Sequence, residues 1–477
     1  MECARTRAVG TTDTPWALFV PPLCLMLVVL WRRQAGIARA APLDLSTEEV
    51  DEICDAWRPA PLVSEQDQLG VVPRREPVIT EQRGVRVTVD GVPSINFASL
   101  DFLKLHGDAD VLDACEAAIM KYGVGSCGPR GFYGTADVHL KLEDELAAFT
   151  GAEAGIVYSY DAATASSILP AFVKAGDLLV CDEAVSFAVQ AGVLGSRAHV
   201  YEFQHNDMAD LARILRVVAE ADRWRPWRAL NRRFIVVEGL YANSGLVCPL
   251  AEVVRLAQEH KFRVFLEESM SFGVLGASGR GACEHHGVSV CDVTITSASM
   301  STALATIGGF AVSERAIASR QRLSSAGYCF SASLPQFNAV AGSAALAKLR
   351  AEPERVHVLR QNAEALHDLL EHMCAQLGED HADALCLLGD RISPIKHLHL
   401  VWGADSRAED THRLQRMCDA VLAEAQCALV VADYTPLQRR APRASIRVVV
   451  SAGHAKRMLE DVVTALASAV LAGGARA

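Results

Sequence analysis

Short apolar runs of strand length recur through the middle of the chain. They are AGIVYSY, DLLVCDE, AHVYEF, RFIVVEG, FRVFLEES, CDVTITS and GGFAVS, between residues 154 and 313. Helix-like segments such as LAEVVRLAQEH separate several of them. Strands alternating with helices predict βαβ units and a mostly parallel sheet with helices on both faces. Upstream, DADVLDACEAAIMKYG reads as a helix ended by Gly123. HLKLEDELAAF reads as another, with Leu142, Leu146 and Phe149 at i, i+4 and i+7 on one face. DLSTEEVDEICDAW predicts a capped helix. Ser46 or Thr47 starts it, and Glu48, Glu49 and Asp51 load its first turn with negative charge.

After the long helix expected in ASLPQFNAVAGSAALAKLRAE the texture changes. HLHLVW, CALVVADY and ASIRVVVSA read as strands. The last helix, AKRMLEDVVTALASAVLAG, carries Leu459, Val463, Leu466 and Val470 on one stripe. The expected organisation is an N-terminal region (1–40), a connecting arm (41–95) with VVPRREP as a loop, a large α/β domain (96–349) and a smaller α+β domain (350–477).

The first residues stand apart. Pro15 to Trp31 carry no charge, have tryptophans at both ends, and are followed by Arg32 and Arg33. A membrane span needs ~20 apolar residues, ~17 at the short end, and interfacial tryptophans suit its two edges. Pro21-Pro22 would kink or shorten such a helix. A signal peptide is the rival reading, with Arg5 and Arg7 before the run and AGIARAA after it. For a retained single-pass anchor, Arg32, Arg33 and Arg39 outnumber the preceding positive charges and place the body in the cytosol.

Composition narrows the classes further. The chain has 477 residues, 51% hydrophobic and 22% charged, which suits a globular protein of two or three domains. Its net charge of −11, with no basic stripe, argues against nucleic-acid binding. The 14 cysteines show no CxxC pair and no regular spacing, so they read as buried reduced thiols rather than a disulfide or zinc framework. EHHG at 284–287 resembles half a metal site without a matching ligand cluster, and no metal is expected. His397 and His399, alternating in KHLHLVW, read as one face of a strand.

Two stretches carry candidate chemistry. YGVGSCGPRGFYGTADVHLKLEDELAAF is rich in glycine around Cys127, Arg130, Tyr133 and Thr135, so its backbone can turn tightly and approach a neighbour closely. SASMSTALATIGGF follows an apolar run and ends in a Gly-Gly pair before another, the setting in which an α/β enzyme often carries a cofactor-bound lysine; it has none.

These segments, with FLEESMSFGVLGASGRG, TIGGF and GYCFSASLP in the same order, resemble the α-oxoamine synthases, a family of fold type I pyridoxal-phosphate enzymes. CGPRGFYGT, HNDM, VVEGLY, FLEES, QRLSSAGYCFSASLP and SIRVVVS further resemble the long-chain base subunit 1 group of eukaryotic serine palmitoyltransferases, over nearly the whole chain. The resemblance implies a large, mostly parallel seven-strand sheet domain and a smaller C-terminal α+β domain. It also implies condensation of L-serine with palmitoyl-CoA, the first step of sphingolipid synthesis.

Carried over residue by residue, the family's cofactor positions have changed. Thr302 stands where active members hold the Schiff-base lysine, and no lysine occurs between Lys261 and Lys348. A threonine hydroxyl cannot form an imine. Glu267 stands for the aspartate beside the pyridine nitrogen and is one methylene longer. Met270 stands for a histidine and can neither donate a hydrogen bond nor shuttle a proton. Ser186, with Phe187 beside it, stands where a histidine stacks on the ring. Arg447 matches the region where active synthases hold the substrate carboxylate.

The resemblance therefore implies a chain inactive by itself, paired with a lysine-bearing subunit 2 that binds the pyridoxal phosphate. Cys127, Arg130, Tyr133, Thr135, Phe330 and Ser331 become candidates for completing the partner's interface site. Small activating subunits, Orm-type regulators and attachment to the endoplasmic reticulum membrane are implied by the family alone. An independent α-oxoamine synthase and a regulatory or scaffold homodimer are the alternative readings. Turnover by the chain alone would mark the first, and stable self-association without loss of synthase activity on deletion the second.

Overall fold

The structure, a computed structural model, describes residues 45–59, 61–62, 76–223, 231–378, 380–404, 406–432, 434, 438 and 440–473. The chain divides between Glu76 and Pro77. N-terminal to that division is the helix Thr47–Ala56, closed by the expected capping box. Ser46 N–H donates to Glu49 Oε2 at 2.8 Å, and Glu49 N–H donates to Ser46 Oγ at 3.2 Å. The apolar run Pro15–Trp31 lies outside the described residues. Among the described residues no helix is long and apolar enough to cross a membrane.

Among its described residues, the second unit is built on three sheets. The central one contains β4 (Ala154–Tyr158), β5 (Leu178–Asp182), β6 (His199–Phe203), β7 (Arg233–Glu238), β8 (Arg263–Glu267), β9 (Ile295–Ser299) and β10 (Gly309–Ser313). All seven correspond to the apolar runs read from the sequence. Their order is β4-β10-β9-β8-β7-β5-β6, and only β10 runs antiparallel to its neighbours. Most central positions are buried because helices cover both faces, which is why the strands read as continuous apolar runs rather than alternating ones.

The Gly308-Gly309 pair has a steric origin. Gly308 has φ +108°, and a Cβ there would lie 2.8 Å from Tyr158 O. A Cβ on Gly309 would lie 2.2 Å from Thr164 Oγ1 on the helix Asp161–Phe172. Only glycine lets β10 enter the sheet between β4 and β9 at this point.

The smaller antiparallel sheet has the order β11-β12-β15-β14: β11 (Leu385–Leu388), β12 (Ile395–Leu400), β14 (Val430–Val431) and β15 (Ile446–Val449). The helices Glu354–Leu377, Arg407–Ala425 and Lys456–Ala472 pack with it. The stripe Leu459, Val463, Leu466 and Val470 is buried as expected.

The arm expected over 41–95 differs in its second half. Residues 79–96 form β1 (Ile79–Arg83), β2 (Arg86–Val89) and β3 (Val92–Asn96), an antiparallel meander to which β13 (Cys427–Ala428) adds in parallel beside β3. Asp90 and Gly91 have φ +49° and +83°, so the β2–β3 link is a two-residue hairpin turn of the Asp-Gly kind. Val87 and Val89 bury against Ala428 and Leu422, which gives the meander one apolar face.

All the cysteines among the described residues are free thiols. Cys181, Cys248, Cys283, Cys418 and Cys427 are buried as expected, whereas Cys54, Cys127, Cys291 and Cys386 are exposed.

Candidate functional site

β5, β7 and β8 each end in a carboxylate: Asp182, Glu238 and Glu267. In open α/β sheets, ligands bind beyond the carboxyl ends of the strands. Here that edge is lined with acids, and Ser186, Glu267, Met270 and Thr302, the positions singled out by the resemblance, gather around it.

Glu238 and Glu267 are register partners at the ends of β7 and β8, and Ser297 of β9 is the next partner across. Ser297 and Ser269 donate hydroxyl hydrogen bonds to the Glu267 carboxylate, and Ser269 N–H donates at 3.0 Å. Burial pushes the Glu267 carboxyl up to about 7, and these donors only partly oppose it. Burial likewise pushes Glu238 up to about 7, with Glu267 adding to the rise. Ser186 caps the helix Phe187–Ser196 by position, and its N–H donates to Glu238 Oε1 at 2.6 Å. Glu268, also pushed up to about 7 by burial, accepts from Ser271 Oγ and Ala282 N.

The loop from β9 to β10 is tied down along its length. Thr302 is buried, and its hydroxyl donates to Ser269 O at 2.7 Å. Ser299 N–H donates to Ser269 Oγ at 2.8 Å. Ser299 Oγ donates to Asp161 Oδ1 at 2.5 Å, Ser301 N–H to the same oxygen at 3.3 Å, and Gly308 N–H to Asp161 Oδ2 at 3.4 Å. A chain of contacts thus runs from Ser186 through Glu238, Glu267, Ser269 and Ser299 to Asp161. Met270 adds no polar group and packs against the core.

These residues do not fit pyridoxal phosphate. No lysine faces the site from the loop, serine hydroxyls donate to both Glu267 carboxyl oxygens, and Asp161 already takes the donors that the loop offers. Sequence reasoning placed Thr302, Glu267, Met270 and Ser186 but missed Asp161, Glu238, Ser269, Ser297 and Ser299. The repeated pattern of an apolar strand ending in an acid was the available signal for Glu238.

A second chain links Asp182 Oδ1 to His205 Nδ1 at 2.9 Å and His205 Nε2 to Ser244 Oγ at 2.8 Å. It has the residue order of a nucleophile relay. Ser244, however, is 5% exposed, and its oxygen accepts Leu246 N–H at 3.3 Å, so the chain ties loops rather than presenting a nucleophile.

The interface candidates sort into two kinds. Arg130 points inward: its Nη1 meets Glu143 Oε1 at 2.8 Å, its Nε donates to Thr135 Oγ1 at 3.0 Å, and it is 7% exposed. Arg322 Nη2 takes the other Glu143 oxygen at 2.9 Å. Arg130 is thus an internal strut, not an outward handle, and Thr135 steadies it by donating to Arg130 O at 2.6 Å. Phe132 and Tyr133, by contrast, are 71% and 106% exposed, and Phe330 is 86% exposed. Cys127 is exposed and Ser331 half-buried.

The two candidate segments are knitted together. Ser126 Oγ donates to Ser333 O at 2.7 Å, Ser333 N–H and Oγ each donate to Gly128 O at 2.9 Å, and His139 Nε2 meets Leu334 O at 2.7 Å. Sequence reasoning missed Ser333 and His139, whose role is visible only once the segments meet. Arg447 is half-buried, with Nε unpaired and a long bond, 3.5 Å, to Ala98 O.

Residues 92–466 match the family model for aminotransferase class I and II. The long chain base biosynthesis protein 1c of Oryza sativa subsp. japonica is 42% identical over 93% of this chain and 89% of its own length. Serine palmitoyltransferase 1 of Dictyostelium discoideum is 36% identical over 94% of this chain and 92% of its own. The chain belongs to the serine palmitoyltransferase 1 group of the aminotransferase class I and II family. Solved structures share the fold. The serine palmitoyltransferase of Sphingomonas wittichii, 25% identical, superposes with a TM-score of 0.75 over 87% of this chain and 99% of that one. One from S. paucimobilis, also 25% identical, gives 0.74 over 85% and 95%. This chain thus carries the fold of a pyridoxal-phosphate enzyme family.

Proposed function

We propose that this chain is a required, non-catalytic subunit of serine palmitoyltransferase. The complex condenses L-serine with palmitoyl-CoA to 3-ketodihydrosphingosine. The observation that carries the reading is Thr302, buried in the loop where the chemistry needs a lysine and bonded to Ser269 O. A lysine-bearing subunit 2 supplies the Schiff base and binds the pyridoxal phosphate. This chain supplies a wall of the interface site, from Phe132, Tyr133 and Phe330 on the knitted turn, with Cys127 and Ser331 beside them.

Arg130, Glu143 and Arg322 hold that wall rigid from inside, so little side-chain freedom is lost when the partner docks. The run Pro15–Trp31 anchors the pair in the endoplasmic reticulum membrane with the body in the cytosol, and small activating subunits and Orm-type regulators act on the complex. The test is expression of the lysine-bearing subunit with and without this chain. Condensation is expected to fall at least about tenfold without it; equal activity without it would reject the subunit role.

A further inference from the structure

The donors around Asp161 form an anion seat. The helix Asp161–Phe172 begins at the carboxyl edge of the sheet, and its first N–H groups have no intrahelical acceptor. Its N-cap, Tyr160, lends no side-chain acceptor either. Across from it, Ser299 Oγ, Gly308 N–H and Ser301 N–H, which is shared with Ser299 Oγ at 3.0 Å, converge on one carboxylate. Ser299 Oγ and Ser301 Oγ lie 2.8 Å apart, so a second hydroxyl stands at the same spot. Hydroxyls, backbone N–H groups and a helix N-terminus are the parts from which phosphate sites are made. The seat lies on the loop that carries Thr302 and follows Ser297, the donor to Glu267. A phosphate-bearing cofactor aimed at Glu267 would bring its anion here.

We propose that Asp161 is the chain's own anion in this seat, and that it shuts the site to phosphate-bearing ligands. A carboxylate fixed among these donors repels an incoming phosphate and consumes the hydrogen bonds that would hold it. The same contacts pin Ser301 and Gly308, so the loop is set without a cofactor. The missing lysine removes the covalent attachment; Asp161 removes the non-covalent seat. The inference extends the reading of a degenerate pocket but fails separately from it, because its test involves neither partner nor condensation.

The experiment uses the purified full chain, wild type, Asp161→Gly and Asp161→Asn, titrated with inorganic phosphate at constant ionic strength. Binding is read by calorimetry, and amide hydrogen exchange is followed at Ser301 and Gly308. Wild type is expected to show no saturable binding. Asp161→Gly should gain saturable binding, at least about tenfold tighter than wild type. Its Ser301 and Gly308 amides should exchange faster and regain protection when phosphate is added. Asp161→Asn keeps the side-chain shape without the charge and should gain a smaller affinity. It decides the question if the glycine variant does not fold. Saturable phosphate binding by wild type equal to that of the variants would overturn the proposal. So would folded variants that gain no binding and whose amides ignore phosphate.

Discussion

Glu267 shows how one side chain reports the state of the pocket. Burial keeps its proton on up to about 7 in the folded chain, whereas the ordinary value is 4.5. Between those values the native state binds more protons than the unfolded one. The stability carried by the neutral carboxyl is therefore complete below about 4.5 and lost as pH rises through 7. Glu238 and Glu268 act in the same sense. Glu267→Gln should flatten this dependence and stabilise the chain above neutrality by about 1–3 kcal/mol, read from denaturation midpoints at a series of pH values. An unchanged slope would mean that Glu267 is ionised in the fold.

Arg130 gives a second test. Its side chain is 4% exposed and its partner Glu143 3%, so Arg130→Met should cost about 2–4 kcal/mol by denaturant unfolding. A loss below about 0.5 kcal/mol would place it on the surface. Thr302→Lys alone should leave the isolated chain without condensation activity, because Met270, Ser186 and the filled seat at Asp161 remain.

Among the elements, the glycine-rich turn and the segment 326–335 matter most, because hydrogen bonds make them one surface. Phe132→Ser and Phe330→Ser remove exposed rings, so stability of the chain should change by less than about 0.5 kcal/mol. Affinity for a lysine-bearing partner should fall at least about tenfold in the double variant, measured by sedimentation of the mixed chains. Unchanged affinity would move the interface elsewhere.

The elements also show what could be read from sequence. The central strands were legible because burial on both faces writes an unbroken apolar run. The arm was not, although Asp90-Gly91 signals a hairpin and Val87 and Val89 alternate with polar residues. The helix Glu354–Leu377 was also unassigned, although Val356, Leu359, Ala363, Leu366, Leu370 and Met373 bury along one stripe. Thr302 could be picked out from sequence alone, as the residue where the resemblance expects a lysine. Asp161 could not, because its meaning depends on a loop about 140 residues away. Arg130 was read as an interface candidate because sequence shows its charge but not its contact with Glu143.

At the scale of the molecule, a fold that holds pyridoxal phosphate in its solved relatives is kept intact, and the site's carboxyls and hydroxyls bond to one another. Such a chain is suited to serve as a fixed wall for a partner's chemistry. The most direct test is reductive trapping with borohydride in the co-purified pair, followed by mapping of the labelled peptide and assay of condensation. The account predicts label only on a lysine of the partner, none on this chain, and condensation only by the pair. Label on any lysine of this chain, or condensation by this chain alone, would contradict it.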